Sequence, residues 1–283
     1  MSVRIRMMLP LVVVLAAVVG YPLAYSFYLS LTDYKITSRG DVAFRGLEQY
    51  DNALNDPDYV QALLTTGTFV VSAVVLELAI GMLLALALQQ QRWVRNLSRS
   101  FLLAPMFITP IAVGLMFRFL LNSQLGAIPS LLNGLGVSMD FFGSGTALWT
   151  IVAIDVWQWT PFMMLMLLAG LEGLPKQPFE AARVDGASAL FTFRKVTIPL
   201  LRPVIVVAVL IRSLDALKVF EYVYATTRGG PGTETQTIQY LIYNTGITFF
   251  RLASASAMAY LLLAAVVVLA VLLFARIRRG GVL

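Results

Sequence analysis

The chain runs to 283 residues, 59% of them hydrophobic and only 13% charged, a balance that excludes a soluble domain with a solvated surface and places the chain in a bilayer. Neither cysteine nor histidine occurs, which excludes disulfides, thiolate nucleophiles, Cys/His zinc sites and imidazole acid–base chemistry. The net charge of +6 is carried by basic residues just outside apolar runs, the pattern of membrane orientation and not of a nucleic-acid patch.

A spanning helix needs roughly 20 mostly apolar residues. In chain order, six segments qualify: about 8–31, 63–88, 101–121, 147–171, 198–224 and 254–275. The first follows Arg4 and Arg6 as a signal peptide would, but its apolar run from about Met7 to Leu31 is too long for a cleaved segment and no small-residue cleavage site ends it. It is expected to stay as a spanning helix. Glu77 and Arg118 lie within the second and third spans and are expected to pair between helices; Asp155, near the fourth, is either such a partner or a ligand contact. The reading is an all-α membrane protein with six transmembrane helices in a single domain, 1–283.

The connections sort by charge. Arg4 and Arg6, Arg92, Arg95 and Arg99, the stretch with Lys176, Arg183, Arg194 and Lys195, and the tail Arg276, Arg278 and Arg279 fall on one side. Lys35, Arg39, Arg45, Arg228 and Arg251 fall on the other. The positive-inside rule then makes both termini cytoplasmic. Three external connections, about 32–62, 122–146 and 225–253, hold most of the turn chemistry, densest in "TRGGPGTETQ" (227–236). They suit a partner outside the membrane, or serve as plain polar linkers.

The cytoplasmic stretch of about 176–197 is too polar to span. In "LPKQPFEAARVDGAS" (174–188), Pro178 suits the start of a helix, Glu180 its first turn near the positive end of the dipole, and Gly186 the left-handed residue that closes it. Ser188 can cap a second short helix. A helix of two turns is marginal in water, so a headgroup surface, the rest of the chain or a partner must hold it. Its spacing is specific: Glu180-Ala181-Ala182, three residues, Gly186, nine residues, then Val196-Thr197-Ile198-Pro199.

This stretch resembles the E-A-A-x3-G-x9-I-x-L-P motif of ABC importer permeases, with Val196 and Ile198 as aliphatic departures. "YPLAYSFYLSLTDY" (21–34), "DVWQWTPFMMLMLLAGLEGLP" (155–175), "VTIPLLRP" (196–203) and "LDALKVFEYVYATTRGGPG" (214–232) extend the likeness to the carbohydrate-type permeases for maltose, trehalose and glycerol phosphate over nearly the whole chain. The resemblance implies a type I importer transmembrane domain in a bacterial or archaeal cytoplasmic membrane. It also implies a homologous second permease, two copies of an ABC ATPase, and an extracytoplasmic solute-binding protein. By it, Glu180, Ala181, Ala182, Asp185, Gly186 and Pro199 belong to the coupling element that meets the ATPase. No G-x-x-x-x-G-K-[ST] occurs, so ATP and magnesium are expected on that ATPase, with no cofactor or metal in this chain and no catalysis by it.

Arg212, Asp215, Lys218 and Glu221 alternate in sign at intervals of three in the fifth span, so each can neutralise the next along one helical face. That face, with Ala216, Val219 and Tyr222, either glues helices together or lines a path offering hydrogen bonds to hydroxyl groups. The resemblance carries sugar contacts onto Arg212, Ala216 and Val219, of which only Arg212 is polar, and in the fourth span onto Gln158, Trp159, Phe162 and Met163. Aromatic faces against sugar C–H surfaces, with polar tips to orient them, make chemical sense of that set. An ion-coupled secondary transporter or channel using the charged stripe is the competing reading. The coupling-helix spacing and the lack of an inverted repeat stand against it.

Overall fold

The computed structural model describes residues 3–37, 42–90 and 100–279. α1 (Val3–Leu15) continues through a π-helical turn (Ala16–Gly20) into α2 (Tyr21–Ser30), and α3 (Glu48–Leu54) and the long α4 (Pro57–Gln90) follow. A 3₁₀ turn (Ala104–Phe107) leads to α5 (Pro110–Leu120), then α6 (Ala127–Gly134) and α7 (Ala147–Glu172). After α8 (Gln177–Val184), α9 (Ala189–Thr192) runs through a second π turn (Phe193–Thr197) into α10 (Ile198–Ala216). α11 (Glu221–Ala225), α12 (Ile238–Tyr243), a third π turn (Asn244–Thr248) and α13 (Leu252–Arg279) complete the described residues. Two of the π turns lie just before Pro22 and Pro199, whose missing N–H groups interrupt the regular hydrogen-bond ladder.

Among the described residues there is no strand beyond one isolated bridge between Thr32 and Phe44. Four helices among the described residues are long and apolar enough to cross a membrane: Met7–Ser30, Pro57–Gln89, Ala147–Glu172 and Ala189–Ala216. Ser100–Phe107 and Pro110–Leu120 form a pair bent by 99°, and Leu252–Val268 is a shorter apolar helix. Of the basic residues that orient the chain, Arg39, Arg92, Arg95 and Arg99 lie outside the described residues, as do the side chains of Arg4, Arg6, Arg276, Arg278 and Arg279.

The chain divides into two compact units, one of residues 1–63 and 238–265, the other of 64–237 and 266–283. In the first, Ala53, Tyr59, Ala62, Ile238, Leu241 and Met258 form a buried cluster, with Ile242, Leu261 and Leu262 packed on it. The Ala253 N–H donates to the Tyr34 carbonyl (3.2 Å), the Ile36 N–H to that of Phe250 (3.1 Å) and Ser254 Oγ to Gln49 (2.8 Å). These bonds tie the segment after α2 to the start of α13.

In the second unit α7 is the most buried spanning helix. Ile151, Ile154, Met163, Met164, Leu167 and Leu168 are enclosed. Small residues let backbones approach at its crossings, as bilayer helices require. A Cβ on Gly81 of α4 would lie 3.0 Å from the Met164 nitrogen, and one on Gly170 2.7 Å from Leu201 of α10. One on Gly114 of α5 would lie 2.7 Å from the Ala225 Cβ of α11.

Two spans differ from the sequence expectation. The segment over 101–121 is a bent pair and not one helix, because Ile108 and Thr109 are extended (ψ 138° and 137°). Thr109 precedes Pro110, whose ring disfavours the helical conformation there. The segment over 198–224 stops being helical at Ala216; the Lys218 and Val219 N–H groups donate three residues back, to Asp215 (3.0 Å) and Ala216 (3.1 Å). The Thr237 hydroxyl, distant in sequence, takes up the Val219 carbonyl at 3.0 Å.

Candidate functional site

Arg212, on the buried side of α10, is 2% exposed although it sits in an apolar helix. An isolated charge there would be very costly, and carboxylates compensate it from several directions. Its Nε faces Glu77 Oε2 of α4 at 2.9 Å, its Nη2 donates to Glu77 Oε1 at 3.0 Å and to Asp155 Oδ2 of α7, and its Nη1 donates to Asp215 Oδ2 at 3.1 Å. All three guanidinium nitrogens therefore face carboxylates. The guanidinium also lies over the Trp159 ring, 5.3 Å from its centroid.

A second network runs beside it. Trp159 Nε1 donates to the Tyr222 hydroxyl (3.1 Å), which donates to Gln158 Oε1 (2.6 Å), and Gln158 Nε2 donates to the Ile108 carbonyl (2.7 Å). Gln158 thus satisfies a carbonyl that the bend before α5 leaves out of any helix. The bend, α7 and α11 are pinned by one buried amide.

Between the two networks opens a cavity of about 190 Å³ lined by Pro110, Asp155, Trp159, Arg212, Asp215, Ala216, Lys218, Val219, Glu221 and Tyr222. Of the residues singled out as path candidates, the structure brings Trp159, Arg212, Asp215, Ala216, Val219 and Tyr222 to this cavity. Gln158 lies behind Tyr222, and Phe162 makes an edge contact with Trp159 at 6.5 Å. Met163 packs at the Gly81 crossing instead. The charged residues do not form one helical stripe. Lys218 and Glu221 lie beyond the end of α10, and within the set only Arg212 and Asp215 pair along the helix. The anticipated interhelical role of Glu77 is fulfilled by Arg212, a partner that also takes up Asp155 and that neither residue's sequence neighbourhood names. Arg118 donates to the Ala225 carbonyl at 3.2 Å.

The second feature is α8. It has eight residues, Pro178 in its first turn with Glu180, and Gly186 at φ +68° after its end. The Ala187 N–H donates to Ala182 (2.9 Å) and the Gly186 N–H to Arg183 (3.2 Å), the paired bonds of a Schellman closure. Ser188 Oγ accepts from the Phe191 N–H at 3.3 Å and starts α9. Ala182 is buried, while Glu180, Ala181, Asp185, Gly186 and Pro199 are exposed. Val184 is 87% exposed.

Residues 77–279 match the family of binding-protein-dependent transport system inner membrane components. The chain belongs to that family. This inner membrane component is 36% identical over 275 residues to a probable ABC transporter permease of Sinorhizobium fredii, covering 96% of this chain and 89% of the relative. It is 36% identical over 240 residues to the trehalose/maltose transport system permease MalF of Thermococcus litoralis (84% and 81% covered). To the sulfoquinovosyl glycerol transport system permease SmoG of Agrobacterium fabrum it is 33% identical over 269 residues (92% and 85% covered). Its fold is that of a chain in the crystal structure of a bacterial ABC transporter importing the acidic polysaccharide alginate, with TM-score 0.83, 20% identity, and 97% of this chain and 94% of that one covered. The inner membrane component is an importer permease and a non-catalytic membrane subunit. Family membership sets aside the ion-coupled secondary transporter.

Proposed function

We propose that this permease conducts a sugar or related polyol across the membrane in an ATP-driven importer and takes its coupling from a separate ATPase through α8. In this reading six spans cross the bilayer with both termini cytoplasmic, the bent pair 100–120 and the helix from Leu252 being the third and sixth. A homologous second permease completes the path, and two ATPase copies bind below with their ATP and magnesium. A solute-binding protein delivers cargo to the external loops. The carbohydrate assignment draws on the trehalose/maltose and sulfoquinovosyl glycerol relatives.

One observation carries the coupling role: α8 is closed at its C-terminal end by Gly186 yet presents an uncovered tip there, with Val184 at 87% exposure beside Glu180, Ala181 and Asp185. A two-turn helix with an apolar tip gains stability by seating that tip in a partner. Alanines at 181 and 182 keep it narrow, Gly186 turns the chain away, and Pro199 starts the next span. Motion of the ATPase would then shift the membrane helices between states that bind cargo differently. The polar cavity, with Gln158 behind Tyr222 and Phe162 against Trp159, is the proposed contact with sugar hydroxyls, and Met163 stays outside it at the Gly81 crossing.

The test is ATP-driven uptake of labelled trehalose and maltose into vesicles holding the assembled transporter, comparing the native chain with Glu180→Lys and Val184→Asp. Loss of uptake and of ATPase co-purification, with unchanged membrane insertion, supports the proposal. Native uptake and assembly in both variants would remove α8 from coupling.

A further inference from the structure

The relatives' named cargoes divide between neutral sugars, trehalose and maltose, and sulfoquinovosyl glycerol, which carries a sulfonate. Family membership therefore leaves the charge of this permease's cargo open, and the cavity beside Trp159 bears on it. The obvious receptor for an anion is Arg212, since a guanidinium fork matches phosphate, sulfonate and carboxylate oxygens. Arg212 is closed to that use: each of its nitrogens faces Glu77, Asp155 or Asp215, and it is 2% exposed.

What remains for an incoming ligand is different in sign. Asp215 exposes 52% of its side chain, and Glu221 and Lys218 complete the charged part of the wall. The one cation of the wall not already enclosed in the buried cluster, Lys218, shares about 190 Å³ with the carboxylates of Asp215 and Glu221, while Asp155 is taken up by Arg212. An anion drawn to Lys218 meets these carboxylates at close range, where like charges in a partly desolvated site repel strongly. A neutral polyol has no such conflict. Its hydroxyls donate to Asp215 and Glu221 and accept from Lys218, and its C–H surface can lie on aromatic walls. The volume is below the ~300 Å³ at which pockets begin to enclose drug-sized ligands, so it suits a single sugar ring and not a whole oligosaccharide.

We infer that this cavity is an anion-rejecting filter: it accepts a neutral sugar ring and excludes rings bearing phosphate, sulfonate or carboxylate. The inference rests on the reading that the cavity lies on the cargo path.

The experiment uses the full-length chain in detergent micelles with Trp93, Trp149 and Trp157 replaced by Phe, so that Trp159 is the only indole in the chain. Collisional quenching by caesium and by iodide at equal ionic strength, each normalised to its quenching of free N-acetyltryptophanamide, reads the sign of the cavity directly, independently of any sugar. Caesium is expected to quench more than iodide, and Asp215→Asn with Glu221→Gln to reverse the order. In a second arm, glucose and trehalose are expected to shield Trp159 from acrylamide, and glucose 6-phosphate and trehalose 6-phosphate to do so at least about tenfold more weakly. Iodide quenching equal to that of caesium, or equal shielding by the phosphorylated sugars, overturns the filter and leaves the path intact. Caesium preference without shielding by any sugar shows that the cavity is not on the path, and the filter falls with it.

Discussion

At the scale of single residues, Arg212 decides how the second unit tolerates charge inside a bilayer. Its removal is asymmetric: the loss of one cation strands two buried carboxylates, Glu77 and Asp155. Breaking a buried pair this way costs about 3–5 kcal/mol, whereas removing the excess charge with it costs less. Arg212→Met should therefore lower the midpoint of thermal unfolding in micelles sharply, and adding Glu77→Gln should restore part of the loss. Additive losses in the double variant would show that the two residues are not coupled. Glu234 is a second informative residue, at the other extreme of exposure. Its carboxylate accepts from the Ser144 hydroxyl and from the Gly145 N–H (2.8 Å), which hold it below its ordinary value of 4.5. A group with a depressed folded value adds stability that is complete above its unfolded value and is lost as the pH falls through the folded one. The clip between the 140s segment and 227–236 is thus intact at neutral pH and opens in acid below 4.5. Amide exchange at Gly145, corrected for its intrinsic rate, should accelerate across that acid range. In Glu234→Gln the acid step should vanish.

At the scale of elements, close crossings separate two kinds of glycine. Gly114 lies where α5 meets α11, and an added methyl would sit 2.7 Å from Ala225, whereas the same methyl on Gly67 of α4 meets nothing within 4 Å. Gly114→Ala forces the helices apart and should cost about 1–3 kcal/mol. Gly67→Ala only removes backbone freedom from the unfolded chain and should be neutral or stabilising by roughly 0.5–1 kcal/mol. Opposite signs of the two melting shifts would locate the constraint in the crossing; equal shifts would place it in helix propensity. The same contrast explains what the sequence made legible. α8 was readable because its signals are local: a proline in the first turn, Glu180 beside it, Gly186 after the end and Ser188 as the next cap. The bend before α5 carried a local signal too, Thr109 before Pro110, that a count of apolar residues overlooks. The stop at Ala216 carried none, since no glycine or proline marks it and the Val219 carbonyl is satisfied from Thr237, eighteen residues on. The alternating charges around that stop suggested an unbroken stripe. The choice of Glu77 and Asp155 as partners of Arg212, 135 and 57 residues away, depends on three helices meeting and has no period to betray it.

At the scale of the whole molecule, the distribution of basic residues is an argument about which side of the bilayer each connection occupies. Charges flanking short connections resist translocation, so the side richer in lysine and arginine stays cytoplasmic. Lys176, Arg183, Arg194 and Lys195 surround α8 and α9, while 227–236 offers only Arg228. The chain has no cysteine, so a single introduced thiol reports its own location without a background. Val184→Cys, on the exposed tip of α8, should react with a membrane-impermeant maleimide only after the cytoplasmic face is opened. Thr233→Cys, in the exposed turn beside Glu234, should react in sealed cells or spheroplasts. The pair fixes the direction of α10, the one long apolar helix between them, and therefore on which side the ATPase must act. Labelling of both thiols from one side would require an even number of crossings between residues 184 and 233. It would break the proposed link between α8, the cavity at the end of α10 and the clip at Glu234 that a coupled import cycle needs.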